Sequence, residues 1–265
     1  MTRTWDAQHP DAAIAAIAET ERLLIALDFD GTASHLVAEP MAARALPAVS
    51  EQVRRLAALP DTIVAYVSGR SLVHLREIAE HDDASPVVLA GSHGAEYWLP
   101  GVGDVPVDHS DDDEQLRQRI VADAAEAVAP FSGVVLEEKT YGIGIHGRRT
   151  DHETEERAFA AVDAFMAERA PQWRRRTGDR ILEFSSRHEG KNVAIDELKK
   201  RFAPTAVLFA GDDVTDEDAL AVLGAADLGI RVGEGNTHAA VRVRNPEQMA
   251  EVLAALATMR AGTRE

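Results

Sequence analysis

Short apolar runs alternate along much of the chain with stretches in which apolar residues recur every three or four positions. The apolar runs are typical of parallel strands buried on both faces, and they cover Leu23–Leu27, Thr62–Val67, Val87–Ala90 and Ala206–Ala210. The helical periods cover Leu46–Leu59, Ser71–Glu80, Asn192–Phe202, Asp216–Leu223 and Pro246–Met259. This alternation predicts an α/β fold with a doubly wound, Rossmann-like parallel sheet as its core.

The middle of the chain has a different pattern. Apolar and polar residues alternate over Val134–His146 and Arg174–Phe184, as in half-buried antiparallel strands. Each of these stretches follows an amphipathic helical pattern, at about 114–129 and about 153–170. We interpret the segment as an inserted α+β cap domain of residues 107–187, within a core domain of residues 1–106 and 188–265. The polar stretches Pro100–Asp113 and Arg187–Gly190 have the composition of surface linkers.

The composition of the chain limits the kinds of functional site it can contain and the partners it can bind. The chain has 265 residues, of which 45% are hydrophobic, and it has no cysteine, which excludes thiolate metal sites and a cysteine nucleophile. A formal net charge of -17 disfavours nucleic acid and anionic membranes as partners. The N-terminus lacks the basic region and apolar core of a signal peptide. We therefore expect a cytoplasmic protein, a monomer, that binds neither nucleic acid nor membranes.

Two acidic motifs each follow an apolar strand. Asp28 and Asp30 stand two residues apart directly after the first run and precede Gly31, which allows a turn. Isolated Asp-X-Asp-Gly is often only a solvated turn, but the carboxyl end of a parallel strand is where an open sheet builds its site. Near the other end of the chain, Gly211–Asp218 contains five acids. Acids so dense repel one another unless a cation lies among them.

Two further polar elements stand at predicted strand or helix ends. Ser68-Gly69-Arg70 follows the second strand and offers a hydroxyl and backbone amides to an anion, although helix capping explains the same residues. Lys191 lies in the first turn of a predicted helix after Gly190, a position that on its own favours a solvated surface lysine. Asp111–Glu114 and Arg174–Arg176 are interpreted as a helix start and a solvated strand edge, without a binding role.

Together, these four elements in this order resemble the haloacid dehalogenase superfamily of phosphohydrolases. Within it, the chain looks like a trehalose-6-phosphate phosphatase, because of Gly91–Glu96, the segment Glu137–Lys139 with His146 and Arg148, and Gly211–Asp218. The resemblance extends from about Leu23 to the C-terminal helix.

The resemblance implies a role for each matching residue. Asp28 is the expected nucleophile and Asp30 the expected general acid and base. A magnesium ion is expected on Asp28, on the backbone carbonyl of Asp30 and on Asp212, with Asp216 orienting its waters. Phosphate binding is expected from Ser68, Gly69 and Lys191. Contacts with the sugar phosphate are expected from Arg70, Ser92, His93, Glu137, Lys139, His146 and Glu183.

The chain also departs from the family's usual pattern. Ala33-Ser34-His35 replaces a leucine-like residue and a proline after Asp-Gly-Thr, and His146-Gly147-Arg148 replaces His-Tyr-Arg. After Glu183, where an apolar residue, an arginine and a proline are common, the chain reads Phe184-Ser185-Ser186. Three functions therefore stay open: a magnesium-dependent trehalose-6-phosphate phosphatase, a phosphatase of another sugar phosphate or a glycosyl-phosphoglycerate, and a non-catalytic regulatory protein.

Overall fold

The computed structural model describes residues 2–6, 12–105, 111–178, 180–186 and 190–263. The chain forms two compact units, Met1–Val105 with Glu189–Glu265 and Pro106–His188. The boundaries expected from the sequence, at 106–107 and 187–188, lie outside the described residues, as does most of the polar stretch expected to lead out of the insertion. Among the described residues, no helix combines the length and the apolar character needed to cross a membrane.

The strands and helices have the following bounds. The strands are β1 Arg3–Thr4, β2 Leu23–Leu27, β3 Thr62–Val67, β4 Val88–Gly91, β5 Glu96–Leu99, β6 Gly103–Val105, β7 Val135–Lys139, β8 Gly142–His146, β9 Arg174–Gly178, β10 Ile181–Ser185, β11 Ala206–Gly211, β12 Leu228–Val232 and β13 Val241–Val243. The helices are α1 Ala12–Ala18, α2 Pro47–Ala57, α3 Leu72–Ile78, α4 Asp111–Val128, α5 His152–Arg169, α6 Lys191–Phe202, α7 Glu217–Leu220 and α8 Pro246–Gly262.

The larger unit is built on a nine-stranded sheet in the order β1-β13-β12-β11-β2-β3-β4-β5-β6. The first seven strands of this order run parallel, and β5 and β6 are antiparallel additions at one edge. This arrangement confirms the predicted doubly wound, parallel-dominated α/β core. The sheet is wider than the sequence pattern suggested. Gly229 and Arg231 interrupt the apolar run of β12, and the apolar run of β5 is only three residues long, Tyr97–Leu99.

Both faces of this sheet are covered by helices. On β2, Leu23, Ile25 and Leu27 pack into one core with residues of α1, α2, α3 and α8. Leu24 and Ala26, which point to the opposite face, pack with residues of α6 and α7. Successive side chains of a strand alternate between faces, so burial on both sides requires the unbroken apolar runs that the sequence shows.

The inserted unit is a four-stranded antiparallel sheet in the order β7-β8-β10-β9, with α4 and α5 packed on one face. Each of the two alternating stretches of the sequence forms a hairpin rather than one strand. Val134–His146 turns between Lys139 and Gly142, and Arg174–Phe184 turns between Gly178 and Ile181. Alternation continues through such short turns, so the sequence pattern did not reveal where each strand ends.

Candidate active site

The polar residues of the larger unit gather at the carboxyl ends of its central strands. Asp28 and Asp30 follow β2, Ser68 follows β3, and Asp212 follows β11. These three strands are direct neighbours in the order β11-β2-β3, so their carboxyl ends meet at one edge of the sheet. Lys191 is the first residue of α6, and Gly190 caps that helix. The edge is therefore the place that an open α/β sheet uses for a site.

Lys191 joins two carboxylates in the interior of this edge. Its Nζ donates to Oδ1 of Asp28 at 2.6 Å and to Oδ1 of Asp216 at 2.5 Å. All three side chains are buried, with Lys191 3% exposed and Asp216 fully enclosed. A buried ammonium needs such partners, because moving an unpaired charge out of water is costly. Lys191 is thus part of the site and is not a solvated surface lysine.

Asp212 and Asp216 are fixed by the tight turn after β11. Oδ2 of Asp216 accepts from the backbone N–H groups of Asp212 and Asp213, each at 2.9 Å. Thr32, fully buried, donates its hydroxyl to Oδ1 of Asp212 at 3.4 Å. Gly31 has a φ of +83°, and a Cβ there would lie 2.1 Å from Oδ2 of Asp212. Glycine is therefore required at position 31 both by the backbone conformation and by the space that Asp212 occupies.

Burial raises the pKa of Asp28 well above its usual value, although the charge of Lys191 lowers it. The charges of Asp216 and Asp212 raise it further. Burial also raises the pKa of Asp212 to about 6, with Asp216 adding to the effect. Although burial alone lowers the pKa of the Lys191 ammonium, Asp216 and Asp28 raise it above its usual value. Burial is thus the main reason that both carboxyls bind protons more readily than usual, and the neighbouring acids add to it.

Asp28, Asp212 and Asp216 offer carboxylate oxygens that all lie within 4.8 Å of one another. When all three carboxyls are ionised, they and the one ammonium leave two negative charges, which a divalent cation neutralises. Hard oxygen donors without nitrogen or sulfur ligands suit magnesium. The residues present therefore fit the expected ion.

The segment after β3 contacts Asp30. The Arg70 guanidinium donates from Nε to Oδ2 of Asp30 at 2.6 Å and from Nη2 to Oδ1 at 2.7 Å, a bidentate ion pair. The backbone N–H of Arg70 also donates to Oγ of Ser68 at 3.1 Å. Ser68 is buried. Arg70, expected to contact the substrate, is thus engaged by the acidic residue expected to act as acid and base.

Ser92 and His93 form a strained turn beside this segment. Both have positive φ, 47° and 58°, a conformation that residues other than glycine seldom adopt. The Ser92 hydroxyl donates to Oε2 of Glu96 at 2.5 Å, and the same oxygen accepts from the backbone N–H of Leu72. The His93 ring lies so close to Gly69 that a Cβ added to Gly69 would be 2.6 Å from Nε2 of His93. His93 therefore lies directly against the Ser68–Arg70 segment.

The inserted unit carries a second polar cluster. Nζ of Lys139 forms an ion pair with Glu183 and lies 3.8 Å from Oε2 of Glu137. Nε2 of His146 lies 2.8 Å from that same Oε2 of Glu137. Although burial raises the pKa of Glu137, the hydrogen bond from His146 and the charge of Lys139 hold it below its usual value overall. Of the seven residues expected to contact the sugar phosphate, the four in the inserted unit therefore form one continuous group.

Strand register explains how this second cluster forms. Glu137 pairs with Gly144 on β8, and Gly144 pairs with Glu183 on β10. A Cβ at Gly144 would lie 3.0 Å from Cε of Lys139, so the glycine leaves room for Lys139 beside it. His146 lies on the same face, because the register pairs it with Val135, two residues before Glu137 on β7. On a single unbroken strand, His146 and Glu137 would have pointed to opposite faces.

The structure thus brings the expected residues together within each unit. Asp28, Asp30, Ser68, Arg70, Lys191, Asp212 and Asp216 gather in the larger unit, with Gly69 and His93 beside them, while Ser92 contacts Glu96. The sequence pattern did not identify Thr32 and Glu96 as residues of the site. The sequence does show Thr32 beside Asp30 and Glu96 four residues after Ser92, but only the fold reveals that their oxygens contact Asp212 and Ser92.

Comparison with known proteins identifies the family of this chain. The sequence pattern of the trehalose-phosphatase family matches residues 26–257. A trehalose-phosphate phosphatase of Mycobacterium tuberculosis (strain ATCC 25618 / H37Rv) is 31% identical over 235 residues, covering 84% of this chain and 58% of that protein. One of Mycobacterium avium (strain 104) is 30% identical over 281 residues, covering 96% and 69%. The chain therefore spans only part of these relatives' length.

Solved structures support the same fold. The C-terminal domain of trehalose-6-phosphate phosphatase from C. albicans superposes with a TM-score of 0.81 at 19% identity, covering 97% of this chain and 98% of that one. The fold is that of haloacid dehalogenase-like hydrolases. Since the family pattern covers most of the chain and the relative from M. avium covers nearly all of it, the chain belongs to the trehalose-phosphatase family.

Proposed function

We propose that this protein is a magnesium-dependent phosphomonoesterase that hydrolyses trehalose 6-phosphate to trehalose and phosphate. The observation that carries the proposal is the group of Asp28, Lys191, Asp212 and Asp216, in which a buried carboxylate is paired with a buried ammonium beside further acids. A purely structural role leaves such a crowding of negative charge unexplained. Family membership supports the substrate, since the two mycobacterial relatives above are named trehalose-phosphate phosphatases.

In the first step, a carboxylate oxygen of Asp28 attacks phosphorus, and the bond from phosphorus to the sugar oxygen breaks. Asp30 donates a proton to that departing oxygen, so trehalose leaves as a neutral alcohol and Asp28 carries the phosphoryl group. The bidentate ion pair with Arg70 occupies both oxygens of Asp30. The pair must therefore open, at least at one oxygen, before Asp30 takes part.

In the second step, water attacks the phosphorus of the aspartyl-phosphate. Asp30, now a carboxylate, takes a proton from that water, and the bond from phosphorus to Asp28 breaks to release phosphate. Lys191 and Ser68 are the donors proposed for the phosphoryl oxygens, where stabilising negative charge is most of the catalysis. Lys191 suits this role because its ammonium already donates to Asp28.

Magnesium would be held by carboxylate oxygens of Asp28 and Asp212 and by the backbone carbonyl of Asp30. When bound, it would neutralise negative charge on the phosphoryl group and on the carboxylates. Besides its proposed role in orienting the waters of the ion, Asp216 has a structural role, because its oxygens accept hydrogen bonds from Lys191 and from two backbone N–H groups. Asp216 thus holds the lysine and the Asp212 turn in place.

The polar cluster of the inserted unit is proposed to bind the hydroxyls of the sugar. Every phosphate monoester presents the same group to the larger unit, so discrimination between sugars needs contacts with the leaving alcohol. Replacing Glu137 or Lys139 by alanine is expected to lower kcat/KM on trehalose 6-phosphate by about tenfold or more, because buried hydrogen-bonding partners are left unmatched. The measurement is steady-state kinetics on trehalose 6-phosphate and on p-nitrophenyl phosphate, whose hydrolysis should fall far less.

Glu138→Ala is the matched control for these two variants. Glu138 lies between them on β7, but its side chain is 66% exposed and points to the other face of the sheet. It should hydrolyse both substrates like the wild-type protein. Equal losses on both substrates in the Glu137 and Lys139 variants would instead mean that these side chains stabilise the inserted unit and do not bind the sugar. No loss on either substrate would mean that they are solvated surface residues.

Gly31→Ala tests the packing of the acidic group. The added Cβ would collide with Asp212, so we expect a loss of phosphatase activity of about tenfold or more and a higher magnesium requirement. Gly101→Ala is the control, since Gly101 has a φ of +75° but no atom within 4 Å of an added Cβ. It should share the backbone penalty of about 1–3 kcal/mol, measured by thermal unfolding, and keep its activity. Equal activity of the two variants would contradict the assignment.

A substrate panel tests the proposal as a whole. We expect magnesium-dependent phosphate release from trehalose 6-phosphate with a higher kcat/KM than from glucose 6-phosphate, sucrose 6-phosphate or glucosyl-3-phosphoglycerate. A preference for another sugar phosphate would keep the chemistry and replace the substrate. Turnover of none of them, including p-nitrophenyl phosphate, would favour a non-catalytic regulatory protein.

A further inference from the structure

Two arginines of β9 lie on the same face of the inserted sheet as the Glu137 cluster. The register pairs Arg176 with Glu183 and Arg174 with Ser185, and alternate residues of a strand share a face. Both arginines are half-buried. Arg175 points the other way, where its Nε donates to Oδ1 of Asp163 on α5 at 2.7 Å. The expectation of a solvated strand edge therefore holds only for Arg175.

Ser185 is one of the positions at which this chain departs from the family pattern, in which an arginine is common two residues after the glutamate. Ser185 lies two residues after Glu183 on β10, so its side chain points to the same polar face. An arginine at this position would add a guanidinium to that face. In this chain, β10 supplies only a hydroxyl there.

Arg174 lies directly opposite Ser185 on the neighbouring strand. Side chains opposite each other on antiparallel strands have Cβ atoms about 5 Å apart, a distance that an arginine side chain spans. A guanidinium from β9 therefore reaches the area that an arginine at position 185 would serve.

We propose that Arg174 is a further substrate-contacting residue, which donates hydrogen bonds to the leaving sugar in place of the arginine usual at position 185. The inference rests on the proposed function, because it assigns the polar face of the inserted sheet to the sugar hydroxyls. It deepens that function by naming a cationic donor that β9 rather than β10 provides. The guanidinium offers five N–H donors, which suits a ligand rich in hydroxyl oxygens.

The test compares Arg174→Gln with Arg175→Gln, its neighbour on the opposite face. We expect Arg174→Gln to lower the ratio of kcat/KM on trehalose 6-phosphate to kcat/KM on p-nitrophenyl phosphate by about tenfold. Inhibition of p-nitrophenyl phosphate hydrolysis by trehalose should weaken in parallel. Arg175→Gln should leave the ratio and the inhibition unchanged. Thermal unfolding of both variants detects any loss of folding.

The decisive experiment supplies the guanidinium from β10 instead of β9. Adding Ser185→Arg to Arg174→Gln is expected to recover most of the lost ratio, which a purely structural role of Arg174 does not predict. Any one of four results would overturn the assignment. These are an unchanged ratio in Arg174→Gln, an equal fall of the ratio in Arg175→Gln, a fall that occurs only in Arg176→Gln, and no recovery of the ratio when Ser185→Arg is added. If the wild-type protein itself does not hydrolyse trehalose 6-phosphate, the proposed function fails, and that result is separate from these.

Discussion

Replacing Asp28 by asparagine is expected to lower phosphate release from trehalose 6-phosphate by at least about a thousandfold. The amide has nearly the shape of the carboxylate, but its oxygen is a far poorer nucleophile. The measurement is phosphate release under saturating substrate and magnesium. Because the reaction needs Asp28 whatever the alcohol, p-nitrophenyl phosphate hydrolysis should fall equally.

The fold of this variant should survive. Burial and the neighbouring acids raise the pKa of Asp28 in the folded protein, so keeping its carboxylate ionised at neutral pH costs stability when no cation is bound. An amide cannot ionise and removes that cost. Lys191 loses an anionic partner in this variant, but it keeps Asp216, and the amide oxygen can still accept from its Nζ. We therefore expect the metal-free variant and the metal-free wild-type protein to unfold at similar temperatures at pH 7. If it kept more than a few per cent of wild-type turnover, the covalent mechanism would be wrong.

Removing divalent metal with a chelator is expected to abolish turnover, and added magnesium should restore it. The acidic group holds three carboxylates against one ammonium, so without a cation its charge repels an anionic phosphate ester. Asp212→Ala should need far more magnesium for half-maximal activity, or fail outright, because it removes one of few protein ligands. The measurement is a magnesium titration of phosphate release after chelation.

Asp218→Asn is a control for the Asp212 variant, because it removes an acid of the same motif that lies outside the group of three carboxylates. Its magnesium dependence should match that of the wild-type protein. Undiminished turnover in excess chelator would remove the metal from the mechanism. A magnesium requirement that shifts equally in both variants would mean that total charge, and not ligation by Asp212, sets the affinity.

The core of the fold was predictable because its strands leave a strong signal. Leu23–Leu27 and Thr62–Val67 are buried strands with the bounds that the apolar runs indicate, since both faces of the sheet are covered. The same logic predicted where Asp28 and Asp212 would meet. Parallel strands place the residues that follow them at one edge, whatever their separation in sequence.

Contacts that depend on turns and on side-chain direction were not predictable in this way. The turn between Lys139 and Gly142 reverses the chain and brings His146 to Glu137, although apolar alternation continues through it. The ion pair between Arg70 and Asp30 depends on how a long side chain folds back from β3 towards β2. Sequence spacing carries no signal for either arrangement, because each is decided by tertiary packing.

The most direct measurement is a rapid-quench experiment with excess enzyme, magnesium and trehalose 6-phosphate labelled at phosphorus. We expect labelled phosphate to appear on the protein within the first turnover, to map to the peptide that contains Asp28, and to be absent from Asp28→Asn. Trehalose should be released at the rate at which the label is transferred, before free phosphate appears. Release of labelled phosphate with no label on the protein at any time, together with turnover in Asp28→Asn, would contradict the account.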